Sequence, residues 1–258
     1  VFRSRIPVRI GTGYRIYSPL FNRRVYEHRR RGDRHELECN LGLLGPLGIP
    51  TDPPGLPVEF GLSVPEAVRA GAVAKLGELG IRLGGTFAVV HPGSGGSARD
   101  WPPERFSSLA GALAERGVTV LVSGSAAEAP LVERVVSACG GGVIRAAGVF
   151  SLHELAAGLE ICALFVGNSS GPMHLAVAMG APVVGLFPQI PGIGPRRWGP
   201  YAERARVIVP DKPENCNECH GRHSRSCACM DSIGVEMVLR ACLDLLQNVA
   251  PAVAERRP

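Results

Sequence analysis

Between Gly167 and His174 the chain reads Gly-Asn-Ser-Ser-Gly-Pro-Met-His, bringing two hydroxyls, a glycine amide and an imidazole into one short stretch. An apolar run, LFVG, precedes it and a helix start is expected near Ser170. A helix start has unpaired N–H groups and a partial positive charge, so Ser169, Ser170 and the backbone of Gly171 form a seat for phosphate. His174 falls one turn further on, beside whatever the turn holds. A second small-residue turn, HPGSGGSARDWP over 91–102, also follows an apolar run, and its glycines let backbone approach a diphosphate.

Three other chemistries fit parts of these motifs. Gly93, Gly95 and Ala98 match the dinucleotide pattern G-x-G-x-x-A. Against it, the next strand ends in VSGS with no acid for a ribose, and WPPERF delays the helix. GNSSG matches the nucleophile elbow G-x-S-x-G, which makes Ser169 the nucleophile of an α/β-hydrolase with Asp211 and His220 or His223 following in order. Pro172 and Met173 suit that tight turn poorly, and the acid and histidines lie in a Cys-rich loop. The third is zinc. Cys216, Cys219, Cys227 and Cys229 supply four thiols, and a zinc-stapled, non-catalytic binding module follows if they meet on one ion. The spacing C-x7-C-x-C strains two ligands on one metal, so no metal is expected.

These residues need a frame. Continuous apolar runs at 87–91, 118–123, 142–146, 163–167, 182–187 and 206–210 alternate with amphipathic stretches at 103–116, 127–139, 151–160 and 170–180, and a last one covers 232–248. Strands that are apolar throughout are buried on both faces, so the class is α/β with a parallel sheet covered by helices. The expected division is a complete Rossmann-like unit over 86–230, a linker helix over 63–85, a terminal helix and tail over 231–258, and a remainder of an N-terminal α/β domain over 1–62. The front holds a short strand (VRIG) and a helix at 35–45.

Charge separates the same parts. Residues 1–40 hold ten Arg against four acids, whereas the remainder has 18 basic and 19 acidic groups. A basic front attracts an anionic partner or lies as a solvated face with Arg paired to Glu. It comes with no stacking pattern or nucleic-acid motif, so nucleic acid is not an expected partner. No apolar run approaches the roughly 20 residues needed to span a bilayer. The expected location is the cytoplasm, with peripheral contact at the inner face of the cytoplasmic membrane. Cysteines in that compartment are thiols, and Cys39, Cys139, Cys162 and Cys242 read as core.

Taken together, HPGSGGSARDWPPERFSSLAGALAERGVTVLVSGSAAE, ELAAGLEICALFVGNSSGPMHLAVAMGAPVVGLFPQ and RRWGPY resemble the lipopolysaccharide heptosyltransferases of glycosyltransferase family 9. The resemblance spans about residues 6–245 and includes PVRIGTG, FNRRV and RHELECNLGLLGPLGI in the front. It implies a GT-B enzyme, in which two Rossmann-like domains face each other and the carboxyl-side one holds a nucleotide-sugar, commonly ADP-heptose, without metal or other cofactor. The acceptor is an anionic glycolipid, the lipopolysaccharide core. By the same resemblance the donor site comprises Ser94, Gly95, Arg99, Ser169, Ser170, Gly171 and His174, with Ser125 and Glu128 toward the nucleoside. Arg29 and Arg30 then lie on the acceptor side, while Trp101 and Trp198 read as packing. Two departures stand out. The family reads G-x-D-[ST]-G-x-x-H, and Ser169 occupies the Asp position. No residue matches the acidic general base that relatives carry near their start, so the chain is expected to hold the donor half-site of an N-terminally incomplete enzyme.

Overall fold

A computed structural model describes residues 5–52, 58–82, 84–211 and 229–247, with every side chain among them except that of Arg30. The front contributes β1 (Ile10–Thr12), β2 (Arg23–Val25) and α1 (Glu36–Gly42). Then come α2 (Glu66–Glu78), β3 (Phe87–His91), α3 (Pro103–Ala114), β4 (Thr119–Gly124), α4 (Ala129–Val136) and β5 (Val143–Ala147). The second half holds α5 (Leu152–Ile161), β6 (Leu164–Asn168), α6 (Gly171–Ala178), β7 (Val183–Leu186), α7 (Pro195–Trp198), β8 (Ala205–Ile208) and α8 (Val235–Gln247).

Strands β3 to β8 form one parallel sheet in the order β5-β4-β3-β6-β7-β8. The chain therefore winds outward from β3 in one direction, returns, and winds outward in the other. Alternation along β3 shows why the apolar runs are continuous. Ala88 and Val90 face one layer with Trp101, Phe106, Leu109 and residues of α8, while Phe87 and Val89 face another with Leu159, Phe165 and Met173. Leu109, Leu159 and Phe165 are fully buried, each worth roughly 1.5–3 kcal/mol relative to exposure.

The helix read as a linker is a packed element of this unit. Ala72 and Leu76, four residues apart on one face of α2, are fully buried in the α5 layer. Arg69 pairs with Glu160 at 3.0 Å and Lys75 with Glu154 at 2.8 Å along that contact. The terminal helix α8 likewise packs on α3, burying Val238, Leu239, Cys242 and Leu245.

The front segment is a separate, small parallel pair, with Ile10 opposite Arg23 and Thr12 opposite Val25. It is fastened to the larger unit by charge and backbone contacts. Glu36 accepts from Arg29 at 2.5 Å and from Arg197 of α7 at 2.8 Å. Nearby, His35 Nε2 lies 2.8 Å from the Gly199 carbonyl.

Candidate functional site

The order of strands fixes where a ligand goes. β3 and β6 are adjacent, and they are the strands from which the chain departs in opposite directions, so their carboxyl ends open a crevice between diverging loops. His91 and Gly167 are register partners there, so the 92–102 loop and the Ser169–Ser170 turn leave the sheet side by side.

One buried amide holds the two loops in place. Asn168 donates through Nδ2 to the Pro92 carbonyl at 2.7 Å and to the Asp100 carboxylate at 3.3 Å. Its Oδ1 accepts the Trp101 N–H at 3.0 Å. Ser94 closes the first loop, its carbonyl accepting the Ser97 N–H at 3.0 Å and its hydroxyl the Gly96 N–H at 3.3 Å. Gly95 and Gly96 follow at φ of +59° and +83°, a left-handed conformation that side-chain-bearing residues rarely adopt. Arg99 is half-buried at the end of this loop.

Ser170 precedes α6 in an extended conformation at φ −143° and ψ 167°, and its carbonyl accepts the Met173 and His174 amides. Its hydroxyl does not cap the helix. The residue is 4 % exposed, and among the described residues Oγ has no hydrogen-bond partner. A buried hydroxyl without a partner costs about 1–3 kcal/mol unless something occupies the position it faces. Ser169 is half-buried and Gly171 exposed, so the turn is open to a ligand on one side.

His174 is half-buried, its ring centroid 6.1 Å from that of Trp198. Burial, and then the nearby charge of His35, lower its pKa below the ordinary imidazole value. Trp198 in turn carries the Arg197 guanidinium 4.9 Å from its centroid, and both side chains donate to the Gly192 carbonyl at 3.1 Å.

Glu128 enters from β4, the neighbouring strand. Its carboxylate accepts the Ser125 N–H and hydroxyl, both at 2.8 Å, forming a capping box. It also lies against Gly93, where any side chain would overlap Oε1. Burial alone would raise the Glu128 pKa, but the bonds from Ser125, the nearby His91 and the Gly95 N–H together lower it. His91 is buried with Nδ1 2.9 Å from Ser123 Oγ, and desolvation lowers its pKa despite the Glu128 charge.

Ser94, Gly95, Arg99, Glu128, Ser169, Ser170, Gly171 and His174 thus lie in the loops and helix starts that follow β3, β4 and β6 of one sheet. Sequence reasoning did not single out Asn168 or His91. The only signal for Asn168 was an amide at the last position of an apolar strand.

A model of the glycosyltransferase family 9 (heptosyltransferase) family matches residues 1–228. The chain belongs to glycosyltransferase family 9. Lipopolysaccharide heptosyltransferase 3 of Escherichia coli K12 is 29 % identical over 223 residues, covering 84 % of this chain and 61 % of that protein. The crystal structure of a family 9 transferase from Veillonella parvula superposes with a TM-score of 0.77 at 25 % identity, over 93 % of this chain and 67 % of that one. E. coli ADP-heptose lps heptosyltransferase II gives 0.72 at 22 % identity, over 94 % and 70 %. The fold is GT-B, and the chain spans about three fifths of the length of the curated relative.

Family 9 membership leaves the dehydrogenase and hydrolase readings of the same glycines without support. His220, His223, Cys216, Cys219 and Cys227 lie outside the described residues, and Cys229 is buried. Among the described residues no group of three or more His, Cys, Asp or Glu side chains is placed to hold a metal. Nor is any described helix long and apolar enough to cross a membrane. Arg29, expected on the acceptor side, is engaged by Glu36, by Asn40 Oδ1 at 2.9 Å and by the Cys39 carbonyl at 3.0 Å. The side chain of Arg30 lies outside what the structure describes; its backbone is in a short 3-10 turn over Arg29–Arg31.

Proposed function

We propose that this chain carries the donor half-site of a glycosyltransferase that moves a sugar, heptose in the first instance, from an ADP-activated donor to a lipopolysaccharide core acceptor. The observation that carries the reading is the buried Ser170 hydroxyl at the start of α6, without a hydrogen-bond partner among the described residues and at the crevice between β3 and β6. A diphosphate oxygen there satisfies the hydroxyl and meets the partial positive charge of the helix start. The names of the E. coli relatives support lipopolysaccharide as the product and ADP-heptose as the donor.

In this reading the acceptor hydroxyl attacks the anomeric carbon in line and gives its proton to a carboxylate base for which no residue of this chain is assigned, the bond to the diphosphate breaks, and configuration inverts. Charge gathers on the departing ADP, and fixed donors aimed at it lower the barrier without reorganising. The α6 start supplies such donors through Ser170 and Gly171, Arg99 supplies a cation, and His174 lies beside the same turn as an imidazole neutral at pH 7. Glu128 and Ser125, at the end of the next strand, are assigned to the nucleoside side in this reading.

Calorimetric titration of the chain with ADP, UDP, GDP and NAD tests this directly. ADP is expected to bind best, and His174→Ala to weaken it about tenfold, or about 1.4 kcal/mol. A preference for NAD, or an ADP affinity indifferent to both His174→Ala and Ser170→Ala, would sink the reading.

A further inference from the structure

The large sheet has a second pair of turns at the same edge. Gly124 and Ala147, the last residues of β4 and β5, are register partners, so the turns that follow them leave the sheet side by side. They touch. The Gly148 N–H donates to the Gly124 carbonyl at 2.9 Å, and a Cβ on Gly148, which stands at φ +69°, would meet Ala126 Cβ at 3.1 Å. Neighbouring strands lie about 4.8 Å apart, so the β5 turn stands roughly 14 Å from the β6 turn across the sheet. An extended ligand seated on Ser170 and running past Ser125 and Glu128 ends over the β5 turn.

The two ends differ in chemistry. The β6 end offers Ser169, Ser170 and His174. The β5 end offers Val149 and Phe150, both half-buried, and Leu152, which is 67 % exposed. Apolar side chains left open at the carboxyl edge of a parallel sheet suit a flat, weakly polar group such as a nucleobase and not a phosphate. One side chain from outside holds that turn. Lys75 of α2 donates through Nζ to the Val149 carbonyl at 3.0 Å, across 74 positions of sequence, and to Glu154 Oε2 at 2.9 Å. The same Glu154 oxygen accepts the Ser151 N–H at 2.8 Å, and Lys75, then Ser151, hold the pKa of its carboxyl down to about 2. The ammonium thus ties the turn at Val149 to the cap of α5. Docking of α2 does not need it, because Ala72 and Leu76 are fully buried on the α5 side and Arg69 pairs separately with Glu160 at 3.0 Å. What Lys75 adds is the position of one carbonyl and of the turn that carries it.

We propose that Lys75 is a positioning residue for the nucleoside end of the donor site, fixing the Gly148–Ser151 turn as the seat of the base without touching the ligand. The inference rests on the donor reading above and adds a residue to it. α2 follows the front segment and precedes the sheet, so the seat of the base is braced by the element that joins the two parts of the chain.

The test is titration of the whole chain, and of its Lys75→Met and Lys75→Arg variants, with ADP, adenosine and pyrophosphate. Lys75→Met is expected to weaken ADP and adenosine about tenfold and to leave pyrophosphate within about twofold of the parent. Lys75→Arg keeps a cation with donors on a long stem and should recover most of the lost ADP affinity. Leu76→Ala, one residue on, supplies the comparison, with folding stability lost and no selective loss of adenosine. A Lys75→Met chain that loses ADP and pyrophosphate together overturns the proposal, because the side chain then acts as a charge or on the whole fold. A Leu76→Ala chain with the same selective loss overturns it too, since loosening α2 then suffices. So does an ADP affinity indifferent to Lys75→Met in a parent whose ADP binding weakens with His174→Ala, and the donor reading survives that outcome. A parent that binds neither ADP nor pyrophosphate sinks both.

Discussion

At the scale of single residues, Ser169 and Asn168 do different work although they are neighbours. By the resemblance to the family motif, Ser169 takes an Asp position, and it brings a hydroxyl without charge. Under the donor reading, Ser169→Asp is expected to tighten binding of an ADP-sugar more than binding of ADP, because the carboxylate accepts sugar hydroxyls and repels bare diphosphate. Equal changes for the two ligands would place the residue away from the sugar. Asn168 makes three hydrogen bonds from full burial, one of them to the carbonyl of Pro92 and one from the amide of Trp101. Asn168→Ala leaves those backbone groups unpaired, at a cost of about 1–3 kcal/mol in urea unfolding. Asn168→Asp should cost more, since it sets an oxygen against the Pro92 carbonyl and the Asp100 carboxylate. An Asp variant as stable as the parent would show that the amide orientation described here is wrong.

Elements differ in how plainly they were written. The six strands of the large sheet were readable because burial on both faces removes polar residues from them, as in Val183–Leu186. β2 was missed for the opposite reason: Arg23 and Arg24 are exposed, and the strand is defined by its partner rather than by its own pattern. The four residues of α7 are too short to show a period. The turn chemistry at Ser169–Gly171 was legible in residue order, whereas the joining of Glu36 to Arg197 spans 161 positions and exists only in the fold. α2 is the instructive case. Its length and place suggested a linker, yet Leu76 is fully buried against the α5 layer. Leu76→Ala should therefore destabilise the whole unit by about 2–5 kcal/mol, read as a shift in the urea midpoint with unchanged slope. A cost under 0.5 kcal/mol would return α2 to the role of a connector.

For the molecule as a whole, two histidines make stability depend on pH. Burial lowers the pKa values of His91 and His174 below the ordinary value of 6.5. On acidification the unfolded chain therefore takes up these protons first. It binds more protons than the folded state below about pH 6.5, so stability rises with pH through that region and is lost as pH falls. The melting temperature should drop from pH 7.5 toward pH 5, and His91→Gln should flatten the drop. A parent profile that is level between those limits would contradict the burial of both rings.

The order of strands also bears on how the protein is made. β3 is the first strand of the large sheet to leave the ribosome, and β4 soon covers one of its edges. Its other neighbour, β6, follows only after roughly seventy residues. At about 5–20 residues per second, the central strand waits on the order of ten seconds with one row of backbone donors and acceptors open. An apolar strand in that condition is a template for mispairing. The nascent chain thus passes through its most vulnerable form while its helices α4 and α5 are being synthesised, and slower translation there lengthens the exposure.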